Sequence, residues 1–318
     1  MSVGHDTAGL STFEHYDINI ENHMKISKDC WYAGGSHTWF GFAPHNKYTM
    51  LATPPAMDAC NKHGIKHVFF CFWRNRGAEC STFSGLPAFF HGLCWLREIK
   101  DEAEIKILFK ETFGMEFDDF MLLDLPDTPN DYEGCCNTEK YMLYNDPFLS
   151  VLDLGIETDA GERFGKCAKK LAKHTGHPDW GHLFESMQRL CEVLEIKANL
   201  GQHTRKAYQE KDMDTLKMLI SQYEECVKRI EVFYRAYQKQ WMKNNKPYGF
   251  DVFDIHIGGL IRRMQHCKER LEDYISGNLE SIPELDEKML DIFGKGENYV
   301  KTPLCYDSWQ RIATVNYI

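Results

Sequence analysis

The sequence lacks the features by which membrane, nucleic-acid-binding and secreted proteins are recognised. None of its 318 residues belongs to an uninterrupted apolar run of the roughly 18 residues that a membrane span requires. The 37 Lys and Arg residues form no basic tract and are outnumbered by 47 Asp and Glu, which disfavours nucleic acid as a partner. The first residues show neither the basic nor the apolar region of a secretory signal. We therefore expect a cytoplasmic protein that binds neither nucleic acid nor a membrane.

Paired cysteine and histidine spacings are also missing. The twelve cysteines include no C-x-x-C pair, which predicts free thiols in a reducing compartment. His63 and His67 are four residues apart, but Gly64 interrupts the helix that would align their rings. We expect no metal site and no cofactor.

The first hundred residues have the pattern of an α/β fold. Apolar runs at Cys30–Ala33 and His67–Phe72 predict two buried strands. Between them, Thr53 followed by two prolines predicts the start of a helix, and Gly64 predicts its end. A strand, a helix and a strand in this order predict a βαβ unit with parallel strands.

Helical periodicity dominates the second half of the chain. A long helix is predicted after Asp212, which can cap it, and another is predicted to end at Gly277. A third apolar stripe, from Leu183 to Ala198, predicts a helix that ends at Gly201. Three such stripes indicate a helical bundle.

The net charge of −10 is concentrated in the middle of the chain. Residues 98–146 contain 14 acidic and 4 basic side chains, which we interpret as a solvated helix followed by an acidic connector. The predicted fold class is therefore α/β followed by all-α. Its predicted parts are residues 1–115, a docked connector at 116–155, and a helical domain at 156–318.

Candidate ligand-binding residues follow the two predicted strands. Trp39 comes after the first strand and Trp73 and Glu79 after the second, and such loops line the ligand site of parallel α/β folds. Indole faces with a nearby carboxylate suit a sugar. The alternative is that the tryptophans are core residues and that Glu79 pairs with Arg74 or Arg76.

These segments resemble a known family. Ala33-Gly-Gly35, Trp39-x-Gly-Phe-Ala-Pro44 and Trp73-x-x-x-Gly-x-Glu79-Cys-Ser are similar to the last two barrel strands of family 20 glycoside hydrolases. Three later segments resemble the bacterial β-N-acetylhexosaminidases that have a helical C-terminal domain: Lys140–Pro147, Lys246–Val252 and Gly258–Leu260.

The resemblance implies an exo-acting, retaining enzyme without a protein nucleophile. In that family the 2-acetamido oxygen of the substrate attacks C1, an Asp orients the acetamide, and the adjacent Glu donates the proton. The implied partners are glycans containing N-acetyl-hexosamine. The implied substrate-binding residues here are Trp39, Trp73, Asn75 and Glu79.

The sequence departs from the family at the catalytic pair. Its Asp-Glu pairs are Asp101-Glu102, at the start of a charged helix, and Asp286-Glu287, among the C-terminal helices. Neither follows a strand, so we assign no catalytic residue to this chain. The last strand also continues into Arg74 and Arg76, where the family has a glycine and an acid.

These departures predict an inactive C-terminal portion of a larger hydrolase. The α/β part would supply the last two or three βα units of a TIM-type (β/α)8 barrel. Either a homodimer or a missing N-terminal half would then complete the protein. Two alternatives stay open: a non-catalytic glycan-binding protein, and an interaction protein whose helical bundle at 180–277 is the working part.

Overall fold

The computed structural model describes residues 2–3, 12–73, 79–128 and 137–289, and these are mostly helical. The chain divides into two compact units at residues 136 and 137, a position inside the predicted connector. We call residues 1–136 the sheet unit and residues 137–318 the helical unit. Each is described separately below.

The sheet unit contains three parallel strands in the order β1, β2, β3. The strands are β1 (Ser2–Val3), β2 (Trp31–Gly35) and β3 (His67–Cys71). The parallel pairing of β2 with β3 confirms the predicted βαβ unit. The helices of this unit are α1 (Phe13–Ile26), α2 (Asn46–Lys62), α3 (Leu86–Leu96), α4 (Glu102–Phe113) and α5 (Phe117–Phe120).

A small apolar core joins the sheet to the first two helices. Tyr32 of β2 packs with Tyr16 and Ile20 of α1 and with Met57 and Cys60 of α2. Burial raises the pKa of the Cys60 thiol to about 12, so this cysteine is an inert core residue.

The predicted start of α2 is wrong. The helix begins at Asn46, and Pro54 and Pro55 lie inside it. Its start is set by hydrogen bonds from a distant segment: the Asp124 carboxylate accepts from the Lys47 backbone N–H at 2.8 Å. This contact satisfies one of the backbone N–H groups of the first turn, which have no partner within the helix.

The helical unit is a bundle built on one long helix. Its helices are α6 (Thr138–Tyr144), α7 (Ala160–Leu171), α8 (Gly181–Gln209), α9 (Met213–Asn244), α10 (Phe250–Ser276) and α11 (Pro283–Asp286). Helix α8 packs against α7 and α9, and α9 packs against α10. The long helices α9 and α10 confirm two of the predicted apolar stripes.

The predicted end of the third stripe is wrong. Helix α8 continues through Gly201 to Gln209. A Cβ atom at Gly201 would lie 3.0 Å from the backbone oxygen of Pro147. Gly201 therefore allows another segment to approach the helix closely, and it does not end the helix.

The approaching segment comprises residues 137–159, which we call the docking segment. The Lys197 ammonium on α8 donates to the backbone oxygens of Met142 and Asn145, at 3.1 and 2.6 Å. The Gln202 amide on the same helix donates to the backbone oxygens of Asp153 and Ile156, both at 2.9 Å. The two side chains thus donate hydrogen bonds to backbone oxygens of a segment that has little regular secondary structure to supply donors.

Arg205 continues this row of donors. Its guanidinium donates to the backbone oxygen of Phe148 in the docking segment, at 2.8 Å. It also donates to three backbone oxygens at and beside α11: those of Glu284, Leu285 and Glu287, at 2.9, 3.0 and 2.7 Å. One buried cation thus joins the docking segment to the last described helix.

Candidate functional site

The structure brings the two predicted sugar-binding tryptophans together at the carboxyl ends of β2 and β3. Gly35, the last residue of β2, pairs with Cys71 of β3. A Cβ atom at Gly35 would lie 3.0 Å from Trp39 Cη2 and 3.4 Å from Trp73 Nε1. Both indoles therefore lie against the same glycine, and a larger residue there would displace the Trp39 ring.

The two tryptophans differ in exposure. Trp39 is only 6% exposed, and its ring lies on the His37 ring with the centroids 3.9 Å apart. Trp73 is half-buried. Trp39 is thus nearly enclosed by the protein, whereas part of the Trp73 side chain is accessible to solvent.

His37 and His45 make hydrogen bonds that fix the loop after β2. The His37 backbone N–H donates to Thr49 Oγ1, and the His45 N–H donates to the His37 carbonyl, both at 2.9 Å. The His45 ring is fully buried, with Nε2 2.5 Å from Asp127 Oδ2. This loop is therefore fixed by a buried polar network and not by apolar packing alone.

A second buried acid lies beside the first turn of α2. Asp124 accepts from the Asn46 amide and from the Lys47 backbone N–H, both at 2.8 Å. Burial raises the pKa of Asp124 to about 6, against the lowering effect of these hydrogen bonds. The Asn46 amide also donates to the Ser84 carbonyl at 2.9 Å, which ties α2 to the loop after β3.

The loop after β3 is fastened to the loop after β2. Ser36 Oγ donates to the Gly85 carbonyl at 3.1 Å. A Cβ atom at Gly85 would lie 2.7 Å from that hydroxyl and 3.0 Å from Thr38 Cγ2. Glu79 is half-buried at the start of this fastened segment. Asn75 lies outside the described residues.

A small cavity lies between β2 and α2. Its volume is about 40 Å³, enough for ordered water but not for a sugar ring. Its lining includes Gly35, His37 and Trp39 together with Tyr48 and Thr49.

Buried polar residues of this site were missed from the sequence. Asp124 and Asp127 lie in the predicted docked connector, and both are buried. The sequence analysis did not single them out as residues of this site. The overlooked signal is their position among large apolar residues, Phe117, Phe120 and Leu123, which are also buried.

Both Asp-Glu pairs lie at helix ends. Asp101 caps α4 by accepting from the Ala103 N–H at 2.9 Å. Asp286, in the last turn of α11, accepts from the Tyr208 hydroxyl at 2.9 Å. Among the described residues, neither pair stands at a strand end, where the family's catalytic pair would be.

In the described part of the chain, no three or more His, Cys, Asp or Glu side chains cluster in a way that would hold a metal ion. No helix of that part has the length and apolar character needed to cross a membrane.

The chain matches the model of a known family. Residues 118–302, more than half of the chain, match the model of the Glycoside Hydrolase 20C C-terminal domain. The match covers most of the helical unit and the end of the sheet unit. No curated protein matches the sequence.

Proposed function

The chain belongs to the Glycoside Hydrolase 20C C-terminal domain family, and from this premise we propose that it serves the chemistry of β-N-acetylhexosaminidases. The reaction is the removal of terminal N-acetyl-hexosamine residues from glycans by a substrate-assisted, retaining mechanism, which needs no cofactor. The role we assign to this chain is to bind the sugar. The observation that carries this role is the packing of Trp39 and Trp73 against Gly35.

The sheet unit supports a relationship to a (β/α)8 barrel. Parallel strands joined by helices are the repeating element of that fold, and its ligands bind at the carboxyl ends of the strands. Trp39, Trp73 and Glu79 follow such ends. We propose that residues 1–115 correspond to the last βα units of a barrel of this type.

Each proposed residue has a physical role. The Trp73 ring offers an apolar surface to the C–H face of the sugar, while Trp39 supports the wall behind it. The Glu79 carboxylate accepts hydrogen bonds from sugar hydroxyls, and the Asn75 amide is a further partner for them. We assign no catalytic residue, because neither Asp-Glu pair follows a strand.

The binding role is tested by calorimetric titration with N-acetylglucosamine. We expect a dissociation constant of about 1 mM for the 318-residue chain and no detectable binding by the Trp73→Ala variant. Trp31→Ala is the matched control, because Trp31 is 44% exposed at the amino end of the same β2 strand. Absence of binding by the unmodified chain, or equal binding by both variants, would contradict the proposal.

Catalysis is tested separately with a chromogenic N-acetyl-β-glucosaminide. We expect no turnover by the 318-residue chain, because among the described residues neither Asp-Glu pair follows a strand. Turnover that persists in a highly purified sample would show that the chain contains an acid catalyst that we have not assigned.

A further inference from the structure

The Trp39 indole is buried, yet the packing beside it is incomplete. The side chain is only 6% exposed, but it lines the cavity of about 40 Å³ between β2 and α2. Protein interiors hold few voids larger than a water molecule, and a side chain next to a void lacks the contacts that would fix it on that side. Close packing alone therefore leaves the Trp39 ring room to turn.

The His37 ring supplies the contact that orients this indole. Its centroid lies 3.9 Å from that of Trp39, with the two ring planes 34° apart. Two other rings, Phe40 and Tyr48, lie 4.7 and 5.4 Å from His37. Because His37 is only 2% exposed and surrounded by rings, it cannot turn without displacing a neighbour. A flat ring held in this way limits the tilt of the indole that lies on it.

His45 and Asp127 fix the His37 ring from the other side. The His45 ring meets it edge-on, with the centroids 4.8 Å apart and the planes at 80°. His45 Nε2 lies 2.5 Å from Asp127 Oδ2, and both side chains are fully buried. An ionised carboxylate only accepts hydrogen bonds, so Nε2 carries the proton and the contact fixes the plane of the His45 ring.

We propose that His37 is the positioning residue for Trp39 in the sugar site. The His45–Asp127 pair acts on the sugar through His37. All three polar residues are at most 2% exposed, so they influence the affinity for the sugar by holding the indole against Gly35 and not by touching the ligand. This inference rests on the proposed function, which places the sugar beside the two tryptophans.

A positioning role differs from a general contribution to the core in what it requires of the side chain. A core position needs apolar volume, which Leu supplies as well as Phe. A position that orients an indole needs a flat ring, which Phe supplies and Leu does not. The pair His37→Phe and His37→Leu therefore separates the two roles.

The test combines calorimetric titration with N-acetylglucosamine and the NMR signal of the Trp39 indole N–H, assigned with Trp39→Phe. We expect His37→Leu to shift this signal and to weaken binding about tenfold. We expect His37→Phe to keep the signal and to bind within about twofold of the unmodified chain. Asp127→Asn should shift the signal and weaken binding about threefold, because a neutral amide orients His45 less strongly.

The control is Phe109→Leu. Phe109 is a fully buried ring of the same unit whose ring contacts are with other phenylalanines. This variant should lower the thermal stability and leave both the Trp39 signal and the affinity unchanged. A shift of the Trp39 signal in the control would show that the signal follows general loosening of the core, which contradicts the assigned role.

An unchanged Trp39 signal and affinity in His37→Leu overturns the proposal, and so does equal loss of binding in the Leu and Phe variants. If the unmodified chain binds no sugar, the proposed function fails, and the Trp39 signal alone then decides whether His37 positions the indole. Should His37→Leu fail to fold by circular dichroism, Asp127→Asn carries the test, and an unmoved Trp39 signal in it contradicts the proposal.

Discussion

The two units use buried charged side chains for different purposes. In the sheet unit, Asp124 and Asp127 are buried around the first turn of α2 and the loop after β2. In the helical unit, Lys197 and Arg205 are buried along one helix and donate to the backbone of the docking segment. Buried acids thus fix the loops of the candidate site in the sheet unit. In the helical unit, buried cations donate the hydrogen bonds that the carbonyls of the docking segment would receive from a neighbouring strand or helix turn.

The difference reflects what each unit has to satisfy. The loop after β2 and the first turn of α2 present the His45 ring, the Asn46 amide and the Lys47 N–H, and acids are the natural partners for such donors. The docking segment presents carbonyl oxygens to Lys197 and Arg205, which donate hydrogen bonds to them. At these contacts the sign of the buried charge matches the polar groups that it meets.

Removing the Arg205 guanidinium should give the largest change in the free energy of unfolding. Arg205→Ala removes the hydrogen bonds that the guanidinium donates to four backbone oxygens. We expect the free energy of unfolding to fall by about 3–5 kcal/mol in urea titrations. Arg235→Ala, an exposed arginine on α9, should change it by less than about 0.5 kcal/mol. Equal losses would mean that the docking segment is held by packing alone.

Two buried carboxyls, Asp124 in the sheet unit and Asp153 in the helical unit, should make the stability of the protein depend on pH. Burial raises the pKa of Asp124 and of Asp153 to about 6, from 3.8. The native state then keeps protons that the unfolded chain has lost, so their contribution is complete below pH 3.8 and is lost as the pH rises through about 6.

The two carboxyls can be separated by substitution. Asp124→Asn and Asp153→Asn should each remove about 3 kcal/mol of pH-dependent stability between about pH 4 and 7, relative to the unmodified chain. Urea titrations across this pH range, with hydrogen exchange to assign the unit affected, are the measurement. Identical profiles for the unmodified chain and both variants would show that neither carboxyl holds a proton in the native state.

Two glycine substitutions in the helical unit should have effects of opposite sign. Gly201→Ala forces a Cβ atom against the docking segment and should cost about 1–3 kcal/mol. Gly258→Ala meets no described atom and should stabilise the dilute protein by about 1 kcal/mol through helix propensity. Thermal unfolding of both variants at low protein concentration checks this, and a gain at Gly201 would contradict the close approach.

The sequence correctly predicted the helix ends that are formed by residues next to the end itself. Asp212 caps α9 by accepting from the Thr215 N–H at 3.0 Å. Gly277 ends α10 with φ of +79°, a left-handed conformation that favours glycine. The parallel pairing of β2 with β3 was also predicted, because a short crossover helix permits little else.

The wrong predictions concern positions whose structure depends on a residue far away in the sequence. The start of α2 at Asn46 depends on Asp124, which is far away in the sequence. Gly201 looks like a helix end unless Pro147 is known to lie against it. The same holds for the candidate site: Trp39 and Trp73 could be placed from their strands, but the buried His45–Asp127 pair could not.

The central claim is that a sugar binds beside Trp73 at the carboxyl ends of β2 and β3. Its most direct test is to follow the indole N–H signals of the seven tryptophans by NMR while N-acetylglucosamine is added. We predict that the Trp73 signal, assigned with Trp73→Phe, shifts in a saturable way while the Trp31 signal stays in place. Equal and unsaturable shifts of both signals, or no shift at Trp73, would contradict it.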